Sequence, residues 1–151
     1  MADEAYRAVF LRIHPTGKMV LSLTTETDGN EPGYASLVAQ QLGVPPLDVK
    51  VVPADTNRFG EGHGFNTAPS PGTPEAIRGA TDKILAKARL LAGAALQTSP
   101  DTLQWSDGAF VAPTDPPQST TIADVAMYSY GSGALPRGVE GGLDAQTVYR
   151  D

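Results

Sequence analysis

The sequence contains no cysteine, which excludes disulfides, thiolate nucleophiles and any Cys-ligated zinc or iron-sulfur cluster held by this chain. Basic residues are also scarce, with 11 Lys and Arg against 17 Asp and Glu and a formal net charge of -6. Without a basic stripe there is nothing to displace counterions from a phosphate backbone, so nucleic acid is not an expected partner. No apolar run approaches the roughly 20 residues of a membrane-spanning helix. The start, MADEAYRAVF, lacks a basic region followed by a long apolar one. A soluble, cytoplasmic protein making no membrane contact is the expectation. Histidine is limited to His14 and His63, which leaves too few imidazoles for a metal site built on them.

What is present suits one domain over 1–151, with 113–151 as an extended, partly irregular C-terminal segment in which Asp115-Pro116-Pro117 forms a flexible joint. At 40% hydrophobic residues the chain can bury a modest core of its own. The strongest element is TPEAIRGATDKILAKARLLAGAAL, residues 73–96. Ile77, Ala80, Ile84, Ala88, Leu91 and Ala95 recur at helical spacing, with Thr73 as the expected cap, Pro74 in the first turn and Glu75 at the positive end of the dipole. Its many alanines, with Gly79 and Gly93, keep the surface slim enough for another layer, a sheet, to approach.

Ahead of it, Ala5 to His14 and Met19 to Thr25 read as a hairpin about the Pro15-Lys18 turn. Tyr34, Leu37, Val38 and Leu42 then form the apolar face of a helix ended by Gly43, and Val49 to Val52 a short strand. Residues 54–72 make a loop long enough to carry function. Behind the long helix, Leu103 to Val111 reads as a hairpin about Asp107-Gly108 and Thr121 to Tyr130 as a short helix. The tail from Gly131 shows no period, and residues 97–151 carry seven Asp or Glu against two Arg. The fold class is α+β, a β-β-α-β-α layer domain with a mixed sheet packed on the long helix.

Local chemistry leaves alternatives open. Gly60-Glu61-Gly62-His63-Gly64 reads as a glycine loop approaching a ligand or as a solvated loop. Asp55-Thr56 reads as a substrate or magnesium contact or as an Asx turn. Asp28, Glu31 and Glu61 are not brought together by their spacing.

The order of phrases carries more. IHPTGKMV at 13–20, Gly29 ahead of ASLVAQQLGV at 35–44, VKVVPADT at 49–56, Ala76-Ile77 opening an Ala-rich helix, Leu135-Pro136-Arg137-Gly138, GGLDA at 141–145 and Tyr149 together resemble the molybdopterin-binding large subunit of the xanthine dehydrogenase, aldehyde oxidase and carbon monoxide dehydrogenase family. The resemblance covers nearly the whole chain, as a middle slice of such a subunit. It implies a molybdenum pyranopterin cofactor and hydroxylation of aldehydes, N-heterocycles or carbon monoxide with oxygen from water. It also implies electron-accepting iron-sulfur and flavin subunits.

In this family a Gly-Gln-Gly loop follows the second strand, and the matching place here reads Thr27-Asp28-Gly29. The family's Ser-Arg pair before the long helix corresponds to Asn66-Thr67-Ala68. The resemblance thus assigns Asp28, Gly29, Asn66 and Thr67 to one wall of the cofactor site. The cofactor itself would be bound mainly by partner chains, above all a larger molybdopterin-binding subunit. No catalytic or metal-ligating residue is assigned, because the family's glutamate base lies in a segment these residues do not contain. The expectation is a small subunit of a split molybdenum hydroxylase, within a hetero-oligomer and inactive alone. The alternatives are a cofactor-free structural or assembly subunit and a non-redox hydratase or ligand-binding derivative.

Overall fold

The computed structural model describes residues 6–54, 68–131 and 134–150. Strands β1 (Arg7–Ile13) and β2 (Met19–Leu23) form the expected hairpin. Its turn closes through His14 N-H to Lys18 O and Gly17 N-H to His14 O, with Gly17 at φ 90°. Helix α1 (Glu31–Leu42) buries Tyr34, Ala35, Val38, Ala39 and Leu42 and ends in the left-handed Gly43. The Pro45-Pro46 pair then forces a short 3-10 turn, Pro46–Asp48, before β3 (Val49–Val52). β3 runs parallel to β2, so β2-α1-β3 is a crossover unit.

Helix α2 (Thr73–Leu96) is the organising element. It contacts α1, β1 and the last strand, β7 (Leu143–Tyr149), of the main layers, and also the small sheet and the last helix. Its buried positions, Thr73, Ala76, Ile77, Ala80, Thr81, Ile84, Ala88, Leu91, Ala92 and Gly93, trace one stripe. A Cβ on Gly79 would stand 3.4 Å from Thr147 Oγ1, so the slim surface does admit a strand. Gly93 is needed elsewhere, against Pro100 of the following 3-10 turn (Pro100–Thr102).

Strands β4 (Gln104–Ser106) and β5 (Ala109–Ala112) pair across Asp107-Gly108, whose φ values of 47° and 83° belong to a two-residue hairpin turn. Strand β6 (Gln118–Thr121) adds to β5. Asp115-Pro116-Pro117 therefore connects two hydrogen-bonded neighbours in one sheet. Helix α3 (Ile122–Tyr130) starts on a capping box in which Thr121 accepts from Asp124 N-H and the Asp124 carboxylate accepts from Thr121 N-H.

Two sequence readings are corrected. The residues from Gly131 onward include β7 (Leu143–Tyr149), antiparallel to β1 over its whole length. The main sheet is thus mixed and four-stranded, in the order β3-β2-β1-β7. Thr73 does not cap α2: Gly72 occupies that position and no side chain caps the end. Thr73 is instead fully buried, its hydroxyl 2.8 Å from that of Tyr149 on β7.

The core lies between the main sheet and the helices: Val9, Leu11, Ile13, Met19, Leu21, Leu23 and Leu143 meet Val38, Leu42, Ile77, Ile84 and Leu91. Alternate residues of the same strands, Phe10, Arg12, Val20 and Ser22, form the sheet's other face.

Candidate functional site

Register brings several loops to one end of the main sheet. β1 begins there with Arg7 opposite Tyr149, where β7 ends. β2 ends there with Leu23 opposite Val9, and the parallel β3 ends beside it. Three tethers hold the loops that leave this end. Thr24 Oγ1 accepts from Ala8 N-H at 2.9 Å, Ala54 N-H donates to Thr25 O at 2.9 Å, and Thr73 bonds Tyr149. The β2-α1 loop, the residues leaving β3 and the start of α2 therefore share one rim.

The rim is lined by hydroxyls. Among the described residues eight polar side chains are buried, and five of them, Thr24, Thr25, Thr27, Ser70 and Thr73, lie here. Four have partners within the rim. Thr24 bonds Ala8, Thr27 bonds Glu31, Ser70 Oγ accepts from Gly72 N-H, and Thr73 bonds Tyr149. Their part is to set the loops' shape, since a satisfied buried hydroxyl gains nothing by turning to a ligand. The cluster was invisible in the sequence, where Thr24 and Thr25 read as strand residues, Thr27 as part of a turn and Thr73 as a cap.

What the rim exposes is different. Asn30 N-H donates to Thr27 O, closing a turn whose central residues Asp28 and Gly29 have φ values of 53° and 77°. All three of Asp28, Gly29 and Asn30 are exposed, and nothing lies within 4 Å of where a Gly29 Cβ would stand. Helix α1 begins immediately after. Glu31 accepts from the Thr27 hydroxyl and from its own backbone N-H, and both hydrogen bonds hold its carboxyl below the ordinary value. The helix N-terminus is thus already served by a carboxylate of its own chain.

Asn66 and Thr67, like Asp55, Thr56, Glu61 and His63, lie outside the described residues. The described chain resumes at the exposed Ala68 and Pro69, ahead of Ser70 and Thr73 in the rim. His14 follows β1 at the sheet's opposite end, so the structure does not bring it to Asp28. There it helps line a cavity of about 570 Å³ on the open sheet face, with Phe10, Arg12, Val20, Ser22 and Asp144. Arg12 is hydrogen-bonded to Tyr130 and faces Asp144 across the β1-β7 pairing, contacts that raise its pKa. Its charge is compensated within the chain. Among the described residues no group of three or more His, Asp or Glu is placed to hold a metal ion. No described helix is long and apolar enough to cross a membrane.

Residues 2–151 match the family described as molybdopterin cofactor-binding domain. The chain belongs to that family. It is 34% identical over 142 residues to the carbon monoxide dehydrogenase large chain of Hydrogenophaga pseudoflava, and 33% identical over 144 residues to that of Afipia carboxidovorans. Each match covers 92% of this chain but 17% of the relative. The crystal structure of the Cu,Mo-CO dehydrogenase in its carbon monoxide reduced state superposes with a TM-score of 0.81 at 28% identity, over 97% of this chain and 18% of that one. Quinoline 2-oxidoreductase from Pseudomonas putida shares the fold, with a TM-score of 0.75 at 23% identity. The likeness therefore spans nearly all of this chain but only about a sixth of the length of the large chains it resembles.

A pterin cofactor brought to this rim would find matching chemistry on one side only. The open Gly29 turn lets a ligand approach the backbone closely. Asp28 and Glu31 suit hydrogen-bond donors of a pterin ring and oppose its phosphate or dithiolene.

Proposed function

We propose that this molybdopterin cofactor-binding domain supplies one wall of a molybdenum pyranopterin site in a larger oxidoreductase assembly of the molybdenum hydroxylase type. The other walls would come from large-chain segments beyond these 151 residues. The observation that carries the reading is the family match over 2–151 combined with a span of 17% of the carbon monoxide dehydrogenase large chains. When bound, the cofactor supplies the redox centre at which substrate is hydroxylated with oxygen from water. The chain's own part is to bind and orient. The Thr27-Asn30 turn offers backbone and the Asp28 carboxylate to the pterin edge, the family resemblance adds Asn66 and Thr67 to the same wall, and the buried threonines hold the turn in shape. A larger molybdopterin-binding subunit and electron-accepting subunits complete this reading.

One observation favours a second reading, a cofactor-free structural subunit: the rim exposes Asp28 at the place where the resemblance expects an amide. A non-redox derivative would bind its ligand in the loop of residues 60–72, most of which lie outside the described residues. Metal analysis of the assembly isolated with the chain separates the first two readings. Molybdenum stoichiometric with the chain is expected; a stable assembly without molybdenum would overturn the cofactor-wall reading and leave the structural one.

A further inference from the structure

The two edges of the main sheet are finished differently. On β7, Lys83 Nζ of α2 donates to the outward carbonyl of Gln146 at 2.7 Å. A lysine laid across an edge carbonyl is a device that blocks further strand pairing. β3, the other edge, has no strand beyond it among the described residues. Beside it lies a groove of about 320 Å³ between β3 and α1, lined chiefly by Pro32, Ala35, Ser36, Leu47, Val49 and Val51.

Leu47 is 97% exposed, the most exposed large hydrophobic side chain described. It does not sit on a frayed segment. Its 3-10 turn is closed by Asp48 N-H to Pro45 O and pinned to the β1-β2 turn by the Lys18-Asp48 ion pair. An edge unpaired among the described residues, an apolar groove and a leucine held out beside both occur at one place.

We propose that the outer edge of β3 receives an extended segment from the remainder of a molybdopterin-binding large chain, apolar at alternate positions and carrying a carboxylate opposite Lys50. The inference rests on the cofactor-wall reading above. The relatives carry this fold as 17% of one chain, so most of their length lies outside it and must pack against it somewhere. One outward carbonyl of β7 is already taken by Lys83, whereas β3 sets its outward backbone groups beside an apolar groove, the combination that an added strand uses. Alternate side chains of an added strand would enter the groove and lie beside Lys50 and Val52 on the open face. Lys50, exposed in mid-strand, selects a carboxylate there.

A second copy of this chain fits poorly. Two-fold pairing of β3 with itself that keeps the helices on one side is centred on Lys50 or on Val51. The first register opposes two lysines, and the second sets Pro53, which has no N-H, against Val49.

The test is amide hydrogen exchange on the 151-residue chain alone and within the molybdenum-containing assembly isolated with it. Exchange at Val49–Val52 is expected to slow by about tenfold or more in the assembly. Leu47→Glu and Lys50→Glu should abolish that protection and the recovery of the assembly, while Leu47→Met and Lys50→Arg retain both. Thermal unfolding of the isolated Leu47→Glu chain should match the unsubstituted one, because Leu47 packs so little within it. Unchanged exchange at β3 in an intact assembly, or full recovery of both Glu variants, would overturn the proposal and leave the cofactor-wall reading standing. So would a homodimer of the isolated chain protected at the same amides. Failure to recover any molybdenum-containing assembly with the unsubstituted chain would overturn both.

Discussion

Thr73 shows how a residue's local signal and its final role can part. By sequence it is a cap at the head of a helix, yet in the fold it is buried against Tyr149, seventy-six positions later. Thr73→Val removes one partner of a buried hydroxyl pair and is expected to cost about 1–2 kcal/mol. Tyr149→Phe should cost a similar amount and the double variant little more than either, as a urea-denaturation double-mutant cycle would reveal. At Glu31 the folded-state pKa is depressed by hydrogen bonds from the Thr27 hydroxyl and the Glu31 N-H. A depressed carboxyl contributes stability above its unfolded value, and that contribution is lost as pH falls through the folded one. Glu31→Gln should therefore flatten the loss of stability that accompanies acidification below the ordinary value of 4.5. Denaturation midpoints measured from neutral to acid pH would decide it, an unchanged slope counting against the account.

Among the elements, β7 and α2 define the seam that closes the main sheet. Thr147 points its hydroxyl into that seam, and Thr147 Oγ1 is buried with no hydrogen-bond partner among the described residues. The close approach at Gly79 leaves room for its shape but supplies no acceptor. Thr147→Val keeps the volume and removes the orphaned group, so it should stabilise the chain by about 1 kcal/mol, read as a raised unfolding midpoint. A destabilised variant would mean that the hydroxyl is satisfied after all. The same seam explains why β7 escaped the sequence reading. Its inward positions are Leu143, Ala145, Thr147 and Tyr149, and only Leu143 is a fully buried apolar residue. A slim helix surface asks for small partners, and small or polar residues at alternate positions leave a weak apolar alternation.

For the whole molecule, the cofactor-wall reading asks an acidic rim to take part in binding an anionic cofactor. Asp28→Asn restores an amide at the turn and removes one like charge. Under the cofactor-wall reading, the assembly carrying it should retain more molybdenum through dilution and salt washing than the unsubstituted one, by metal-to-protein ratio. Equal retention would show that Asp28 does not face the anionic part of the group.

Much of the architecture was legible in local sequence: the α2 stripe, the β1-β2 hairpin, Gly43 ending α1, the Asp107-Gly108 turn and β3 between its prolines. The family resemblance was likewise legible in the order of short phrases. These features depend on neighbours within a few residues, where propensity, capping and turn chemistry act. Tertiary structure alone decided that β7 pairs with β1, that Thr73 meets Tyr149, that the buried threonines gather on one rim and that β3 and β7 stand at the two ends of the described sheet. Each of those joins residues far apart in the chain, and nothing in the local composition of one partner specifies the other. Packing against α2 selects the pairing that buries apolar surface while leaving backbone groups satisfied.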